Sequence, residues 1–390
     1  MMISRDLAPR LEAAAKDFPA VTVTGPRQSG KSTLCRALFP KHDYANLEAP
    51  DQREFALSDP RGFLAQFSKG AIIDEIQRAP DLASYLQLLI DDDPRPGRWI
   101  LTGSHNLSLL ESVSQSLAGR TAVLHLLPLA YSEVTRFEAH PTSLDELLFT
   151  GGYPRIYDRS LHASDWLSSY VATYIERDVR TVSNVGDLVT FQRFVQLCAG
   201  RSGQLLNYSN LASDCGVSQP TAKAWLSILE TSFLVFRLPS WSGNTRKRLV
   251  KMPKLHFYDT GLACWLLGIR SASQLRNHPL RGAIFESWVV SEIVKHRANR
   301  GERGGVAFYR DRNGAEADLL LETSGTITAV EVKAGQTVTN DMLSAVSRIA
   351  DGLGSAAAPR SIVVFGGHRR QVRQDVLVLP WRELHGETWV

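Results

Sequence analysis

Residues 21–33, VTVTGPRQSGKST, carry the plainest chemistry in the chain. From Gly25 to Ser32 they spell G-x-x-x-x-G-K-S, so Gly25, Pro26, Arg27, Gln28, Ser29, Gly30, Lys31, Ser32 and Thr33 form a candidate phosphate cradle. Gly25 and Gly30 let the chain turn tightly enough for its backbone N–H groups to wrap an anion. A helix beginning near Lys31 would aim its positive end at the same charge. Lys31 would reach the β- and γ-phosphates of a nucleoside triphosphate, and the Ser32 hydroxyl would hold Mg²⁺, with Thr33 as a second candidate for that hydroxyl. Val21 and Val23 lie in a β-branched run before the loop, and Leu34, Ala37 and Leu38 supply an apolar helix after it. That strand–loop–helix context separates the motif from a glycine turn that happens to contain Lys-Ser.

A second constellation follows about forty residues downstream in GAIIDEIQRAP, residues 70–80. Ala71, Ile72 and Ile73 read as a buried parallel strand ending in Asp74-Glu75. Ligands of parallel sheets gather at that edge. Asp74 would face Mg²⁺ directly or through water, and Glu75 would polarise the attacking water as general base. On its own, Asp-Glu after an apolar run is a common surface turn; the upstream loop gives it meaning. A third strand, Arg98–Thr102, ends in Gly103-Ser104-His105-Asn106. Ser104 is the first candidate to contact the γ-phosphate or orient the water, with Thr102 and Asn106 as alternatives. Ser104 or Asn106 also suits the N-cap of the leucine-rich helix that follows. Arg120 precedes a fourth apolar strand, Ala122–Leu126. It suits either an arginine finger, in its own or a neighbouring subunit, or a structural role.

These features place nucleotide chemistry on an α/β domain, but composition bounds the rest. The chain has 390 residues, 44% hydrophobic and 22% charged, enough for several packed domains. Apolar runs fall short of the roughly 20 residues of a membrane helix. The start, MMISRDLAPR, shows no signal-type hydrophobic segment. Cys35, Cys198, Cys215 and Cys264 are scattered without a C-x-x-C pair, which argues against zinc and disulfides and for a cytoplasmic setting with no membrane partner. A net charge of +4 says little about nucleic acid, so its distribution matters more.

Beyond the first domain, residues 143–200 carry helical periodicity, with aromatic stripes at Trp166, Tyr170 and Tyr174 and at Phe191 and Phe194. These stripes read as core. Glu176, Arg177 and Asp178 suit a polar patch near the nucleotide or a domain contact. Residues 207–230 read as two short helices broken at Gly216, the first capped by Ser209 or Asn210 and the second by Ser218: a helix-turn-helix. Leu234–Leu238 and Leu255–Tyr258 are strands flanking TRKRLVKMPK, whose Arg246, Lys247, Arg248, Lys251 and Lys254 come without an acid. Together they read as a winged helix with a basic wing, with Thr221, Lys223 and Ser227 facing outward to DNA. The same module also serves protein contacts, so DNA and a protein are both expected partners.

Near the C-terminus, Glu286 sits in the apolar helix RGAIFESWVVSEIVKH, residues 281–296. Asp318 lies in a strand after the turn Asp311–Gly314, and Glu331 and Lys333 share one face of the strand Thr328–Lys333. This order resembles the PD-(D/E)xK nuclease fold, with Ala317-Asp318 in place of Pro-Asp. The resemblance implies that Asp318 and Glu331 bind a divalent metal, that Glu286 contributes to the metal or its water shell, and that Lys333 activates water, with Arg310 and Arg312 near phosphates. Nuclease-like folds also serve as binding modules. A further strand, Ile362–Phe365, a basic turn (His368, Arg369, Arg370, Arg373) and Val376–Leu379 complete the region.

The whole chain is similar to the AAA+ group of P-loop ATPases, and more closely to a prokaryotic family with a C-terminal domain of unknown function 4143. The resemblance rests on GPRQSGKST, IIDEIQRAP, LTGSHN and LAGR, then GGYP at 151–154, YIERDV at 174–179 and FYDTGL at 257–262. It implies an ATP- and Mg²⁺-dependent hydrolase, with a homo-oligomer required if Arg120 acts in trans. The expected fold is α/β: a P-loop AAA+ parallel sheet over 1–140, a helical region with a winged helix over 141–270, and a restriction-endonuclease-like domain over 271–390.

Overall fold

The computed structural model describes residues 3–104, 116–173, 187–241, 252–310 and 315–389. Asn106, the motif at 174–179 with Glu176, Arg177 and Asp178, the basic residues Arg246, Lys247, Arg248 and Lys251, and Arg312 lie outside the described residues. Two compact units form. The first comprises Met1–Leu129 with Thr231–Phe233 and Ala298–Glu302; the second holds Ala130–Glu230, Leu234–Arg297 and Arg303–Val390. No helix of the described residues is long and apolar enough to cross a membrane.

In the first unit, the β-branched runs become β1 (Ala20–Thr24), β2 (Asp43–Asn46), β3 (Ala71–Asp74), β4 (Trp99–Gly103) and β5 (Thr121–His125). They pair in the order β2-β3-β4-β1-β5, all parallel. Side chains alternate across the pleat, and both faces are covered. Ala71, Ile73, Trp99 and Leu101 pack with Phe63, Leu82 and Leu86. Val21, Val23, Ile72 and Ile100 pack with Leu7, Leu11 and Leu34. The register pairs Thr24 with Gly103 and His125, and Asn46 with Asp74. The strand ends therefore form one edge. β4 lies between β1 and β3, so the loop after β1 and the carboxylates ending β3 face each other across the tip of β4.

The second unit contains two sheets. β6 (Gln204–Leu205), β7 (Val235–Leu238) and β8 (Lys254–Phe257) are antiparallel in the order β6-β8-β7. Before and between them run the helices Leu188–Ala199, Tyr208–Cys215 and Gln219–Thr231. Trp225 meets Phe191 and Phe194 edge-on, so these aromatics are core. Gly216 supplies the left-handed turn (φ 76°) between the last two helices, and Ser218 Oγ accepts from the Thr221 N–H. The first of the pair is capped by Asn207, which accepts from the backbone N–H of Ser209 and Asn210. Spacing alone puts that cap on Ser209 or Asn210; both are instead the donors.

The larger sheet has β9 (Val306–Arg310), β10 (Glu316–Thr323), β11 (Thr326–Lys333), β12 (Ser361–Phe365), β13 (Gln371–Arg373) and β14 (Val376–Pro380), in the order β13-β14-β12-β11-β10-β9. β9–β10–β11 is an antiparallel meander, and β11, β12 and β14 are parallel. The helix Asn340–Leu353 buries Leu343, Val346 and Ile349 against Ala317, Ala329, Val363 and Val378. Arg373, expected in a basic turn, lies in β13, and Arg370 Nη1 pairs with Glu387 at 2.5 Å.

His256 of β8 is fully buried, stacks on Phe236, and shares Ser287 Oγ at 3.0 Å through Nδ1. Burial, helped by the Lys254 charge, pushes its pKa down to about 3. Protons therefore bind the unfolded chain more readily than the folded one. This contribution to stability is intact above the ordinary histidine value and is lost as pH falls from about 6.5 toward 3. At pH 5 the loss is about 2 kcal/mol relative to pH 8. A calorimetric comparison checks it: the drop in melting temperature of the second unit on going from pH 8 to pH 5 is smaller in His256→Asn than in the parent. Equal drops would count against it.

Candidate functional site

The loop between β1 and the helix Lys31–Leu38 is shaped by backbone constraints. A Cβ on Gly25 would stand 2.1 Å from the Leu126 carbonyl oxygen, at φ 151°, so only glycine fits. Gln28 (φ 64°) and Gly30 (φ 94°) complete the turn in the left-handed region. Lys31 Nζ donates to the carbonyl oxygens of Gly25 (3.0 Å) and Pro26 (2.9 Å). Burial lowers its pKa, opposed by the charges of Glu75 and Asp74. Arg27 pairs with Glu48 at 2.7 Å. Ser29 is fully buried.

Asp74, 5% exposed, sits where β3 meets this loop. Its Oδ2 accepts from Ser32 Oγ and Tyr44 Oη, both at 2.7 Å, and its Oδ1 accepts from Thr102 Oγ1. Ser32, not Thr33, thus meets the carboxylate; Thr33 is exposed on the helix. One hydroxyl and one carboxylate side by side at a phosphate loop suit Mg²⁺, which binds few protein oxygens and keeps phosphate oxygens and water for the rest. Glu75 adopts a left-handed backbone (φ 57°), a conformation that costs non-glycine residues of order 1–3 kcal/mol and clusters at functional positions. Its Oε2 accepts from Ser104 Oγ (2.8 Å) and Gln77 Nε2 (2.6 Å). Lys31, Ser32, Asp74, Glu75 and Ser104 are brought to one edge of the sheet.

Arg120 is not with them. It precedes Thr121, which pairs with Ala20 at the start of β1, so it stands at the opposite edge of a strand roughly 16 Å long. There it makes a bidentate ion pair with Asp91, 2.6 and 2.8 Å. A finger on the γ-phosphate of its own chain is therefore excluded by parallel register.

Three residues of this site lie outside the candidates read from the sequence. Tyr44 and Gln77 reach it only through strand pairing and the turn after β3. Arg5, 8% exposed, donates to the carbonyl oxygens of Ser29 (2.6 Å) and Leu127 (2.8 Å), clamping the phosphate loop to the chain after β5. Gln77 was at least inside a recognisable motif, IIDEIQRAP; nothing in spacing marks Arg5 or Tyr44.

The C-terminal carboxylates also converge, but around an unexpected partner. Lys254 Nζ, at the start of β8, lies 2.9 Å from Glu286 Oε1, 2.8 Å from Glu316 Oε1 and 3.5 Å from Asp318 Oδ1. Asp318 Oδ2 accepts from the Val332 N–H at 2.9 Å, and Lys333 Nζ meets Glu331 Oε1 at 2.5 Å. Burial, reinforced by Asp318, raises Glu286 to about 8 and Glu331 to about 7. Although burial disfavours its charge, Glu286 and Asp318 hold Lys254 above the ordinary lysine value. The resemblance assigns Glu286, Asp318 and Glu331 to a metal; here Glu286 and Asp318 face an ammonium, and among the described residues no group of three or more acidic, His or Cys side chains is placed to hold an ion. The set therefore does not fit a divalent cation as arranged.

Residues 17–135 match the family model of an AAA domain, residues 141–273 the Domain of unknown function (DUF8612), and residues 281–384 the Domain of unknown function (DUF4143). Uncharacterized protein Mb2031c of Mycobacterium bovis and Uncharacterized protein Rv2008c of Mycobacterium tuberculosis are each 32% identical over 381 residues, covering 96% of this chain and 83% of theirs. Among solved structures, the Walker-type ATPase paby2304 of Pyrococcus abyssi is 16% identical with a TM-score of 0.47, over 68% of this chain and 96% of that one. The STAND protein PH0952 of Pyrococcus horikoshii, which has a tetratricopeptide repeat sensor, is 11% identical with a TM-score of 0.23, over 78% of this chain and 48% of that one.

Arg5 generates a prediction. Arg5→Met removes two charge-assisted bonds to buried carbonyls, worth about 1.5–3 kcal/mol each. The first unit should melt lower, and nucleotide affinity should fall because the loop is no longer held. Thermal melts with and without nucleotide, with fluorescent-nucleotide titration, read both effects; unchanged affinity would make Arg5 merely structural.

Proposed function

Since the chain belongs to the family of these two mycobacterial proteins and carries an AAA-type P-loop ATPase domain, we propose that it is an ATP-hydrolysing switch that acts on DNA. The observation that carries the hydrolytic half is the shared Oε2 of Glu75, held by Ser104 and Gln77 beside Lys31 and the Ser32–Asp74 pair. In this reading Lys31 leaves the loop carbonyls for the β- and γ-phosphates. Ser32 and Asp74 would hold Mg²⁺, which would supply positive charge for the phosphoryl oxygens. Glu75, as general base, takes a proton from the attacking water. Ser104 and Gln77 both donate to one oxygen of Glu75 and so fix which way the carboxylate faces. In this reading Ser104 senses the γ-phosphate: turning toward it releases one of the two bonds on that oxygen and lets the carboxylate turn to the water, so hydrolysis is coupled to occupancy.

The DNA half rests on the two helices joined at Gly216 and followed by β7 and β8, read as a winged helix. Gln219, Lys223 and Ser227 lie exposed on the second helix. Four-residue spacing puts them on one face, the face such modules lay in a groove. Arg120, distant from its own phosphate loop, fits a trans contact in a homo-oligomer if Asp91 releases it. The same face also suits a protein partner, in which case the switch is regulatory.

Two expectations follow. Lys31→Ala loses ATP hydrolysis and binding together. Glu75→Gln keeps binding while turnover drops about 10²–10⁴-fold; phosphate release and nucleotide titration on both variants separate the roles, and a Glu75→Gln enzyme at parental rate would overturn the assignment. For DNA, affinity for duplex should fall steeply between 50 and 200 mM salt, and Lys223→Glu should weaken it further. Salt-independent binding, or none, would favour the protein-partner reading.

A further inference from the structure

We infer that Lys254 is the resident cation of the C-terminal carboxylate cluster, filling with its ammonium the place that the nuclease resemblance reserves for a divalent metal. Three observations carry this. First, the geometry is that of a coordination centre: one Nζ stands within 2.9 Å of oxygens on Glu286 and Glu316 and within 3.5 Å of Asp318. These residues come from two separate elements: the helix Arg281–Asn299 supplies Glu286, and alternate positions of β10 supply Glu316 and Asp318 on one face. Second, the lysine is committed. Lys254 is 4% exposed, and its Nζ lies 5.6 Å from the Phe308 ring centre. Third, one carboxylate oxygen of the cluster is left without a partner. Glu331 is 8% exposed, its Oε1 is taken by Lys333, and its Oε2 is buried without a hydrogen-bond partner.

Electrostatics explains why both cations cannot share the site. A divalent ion among these oxygens would stand within a few ångströms of the ammonium, and like charges that close in a buried setting repel by several kcal/mol even at an effective dielectric near 20. Metal entry therefore requires Lys254 to leave. Its backbone is fixed in β8, paired with Leu205 and Leu238 on either side. Departure of the ammonium means breaking its ion pairs with Glu286 and Glu316 and moving a side chain anchored on that strand. Lys254 thus ties the three-stranded sheet to the helix and sheet that carry the acids. At the end of the basic run TRKRLVKMPK, Lys254 turns inward. This inference concerns a site remote in chemistry from the ATPase reading and stands or falls separately from it.

Manganese supplies the test, since it substitutes for Mg²⁺ and its binding can be counted by electron paramagnetic resonance without any activity assay. The nucleotide-free full chain is titrated alongside Asp318→Asn. The expected result is the same number of Mn²⁺ ions per chain in both, because the parent cluster takes none. A bound ion that Asp318→Asn loses would overturn the inference. The second arm is Lys254→Met, similar in length but uncharged. It should gain one Mn²⁺ per chain, and the gain should vanish in Lys254→Met combined with Asp318→Asn. A Lys254→Met chain with parental circular dichroism and no added ion would also overturn it. If Lys254→Met fails to fold, the comparison of parent with Asp318→Asn still decides the matter.

Discussion

One buried carboxylate holds the nucleotide edge together. Asp74 ends β3, and the three hydroxyls it accepts come from the helix after β1 (Ser32), from β2 (Tyr44) and from β4 (Thr102). An ionised carboxylate this deep would cost several kcal/mol if unpaired, whereas hydrogen bonds to a charged acceptor return about 1.5–3 kcal/mol each. The ring of hydroxyls therefore makes the burial tolerable, and in doing so ties four parts of the first unit to a single point. The strand ends could align by backbone pairing alone. The carboxylate adds a polar tie to the apolar packing that holds the helix after the phosphate loop against them.

The placement of β4 between β1 and β3 adds the second layer of control. Had β1 and β3 been neighbours, Asp74 and the loop would meet with nothing between them. The inserted strand brings Thr102 onto Asp74 and carries Ser104 past the sheet edge to Glu75. Glu75 is the residue where the backbone is strained, and its side chain is held by Ser104 and Gln77 at once. Strain and a double hydrogen bond on the same residue mark it as one whose position is set by its surroundings rather than by local preference.

How much of this was legible in the sequence follows from where each residue's partners lie. The placement of the phosphate loop and of Asp74-Glu75 was readable because it is local: a strand, a turn and a helix in unbroken order, and an apolar run ending in acids. Ser104 was readable for the same reason, at the polar end of an apolar run. Arg5 and Tyr44 were not, because each acts on a partner brought near only by sheet order, and neither lies at a spacing that means anything in one dimension. Arg120 shows the converse. Its position before an apolar strand looked suited to a finger, but parallel register places the start of that strand opposite the phosphate loop. Asn207 displaced Ser209 and Asn210 as a cap because all three have capping side chains, and only the backbone angle at the helix start chooses among them.

Lys254 is the sharpest case, since composition pointed the wrong way. Within a run of five basic residues it reads as one more surface cation. The strand β8 turns it inward, onto acids that the sequence had already grouped by order and spacing. The contrast with Asp74 is instructive. Both sites gather negative charge, but Asp74 is met by neutral hydroxyls, whose bonds an incoming cation replaces with a stronger charge interaction. The C-terminal acids are met by a full charge on a fixed strand, and removing one member of a buried ion pair costs about 3–5 kcal/mol. An incoming cation has to supply that energy before it gains anything. The first arrangement suits a site that must cycle, and the second suits one that must stay as it is.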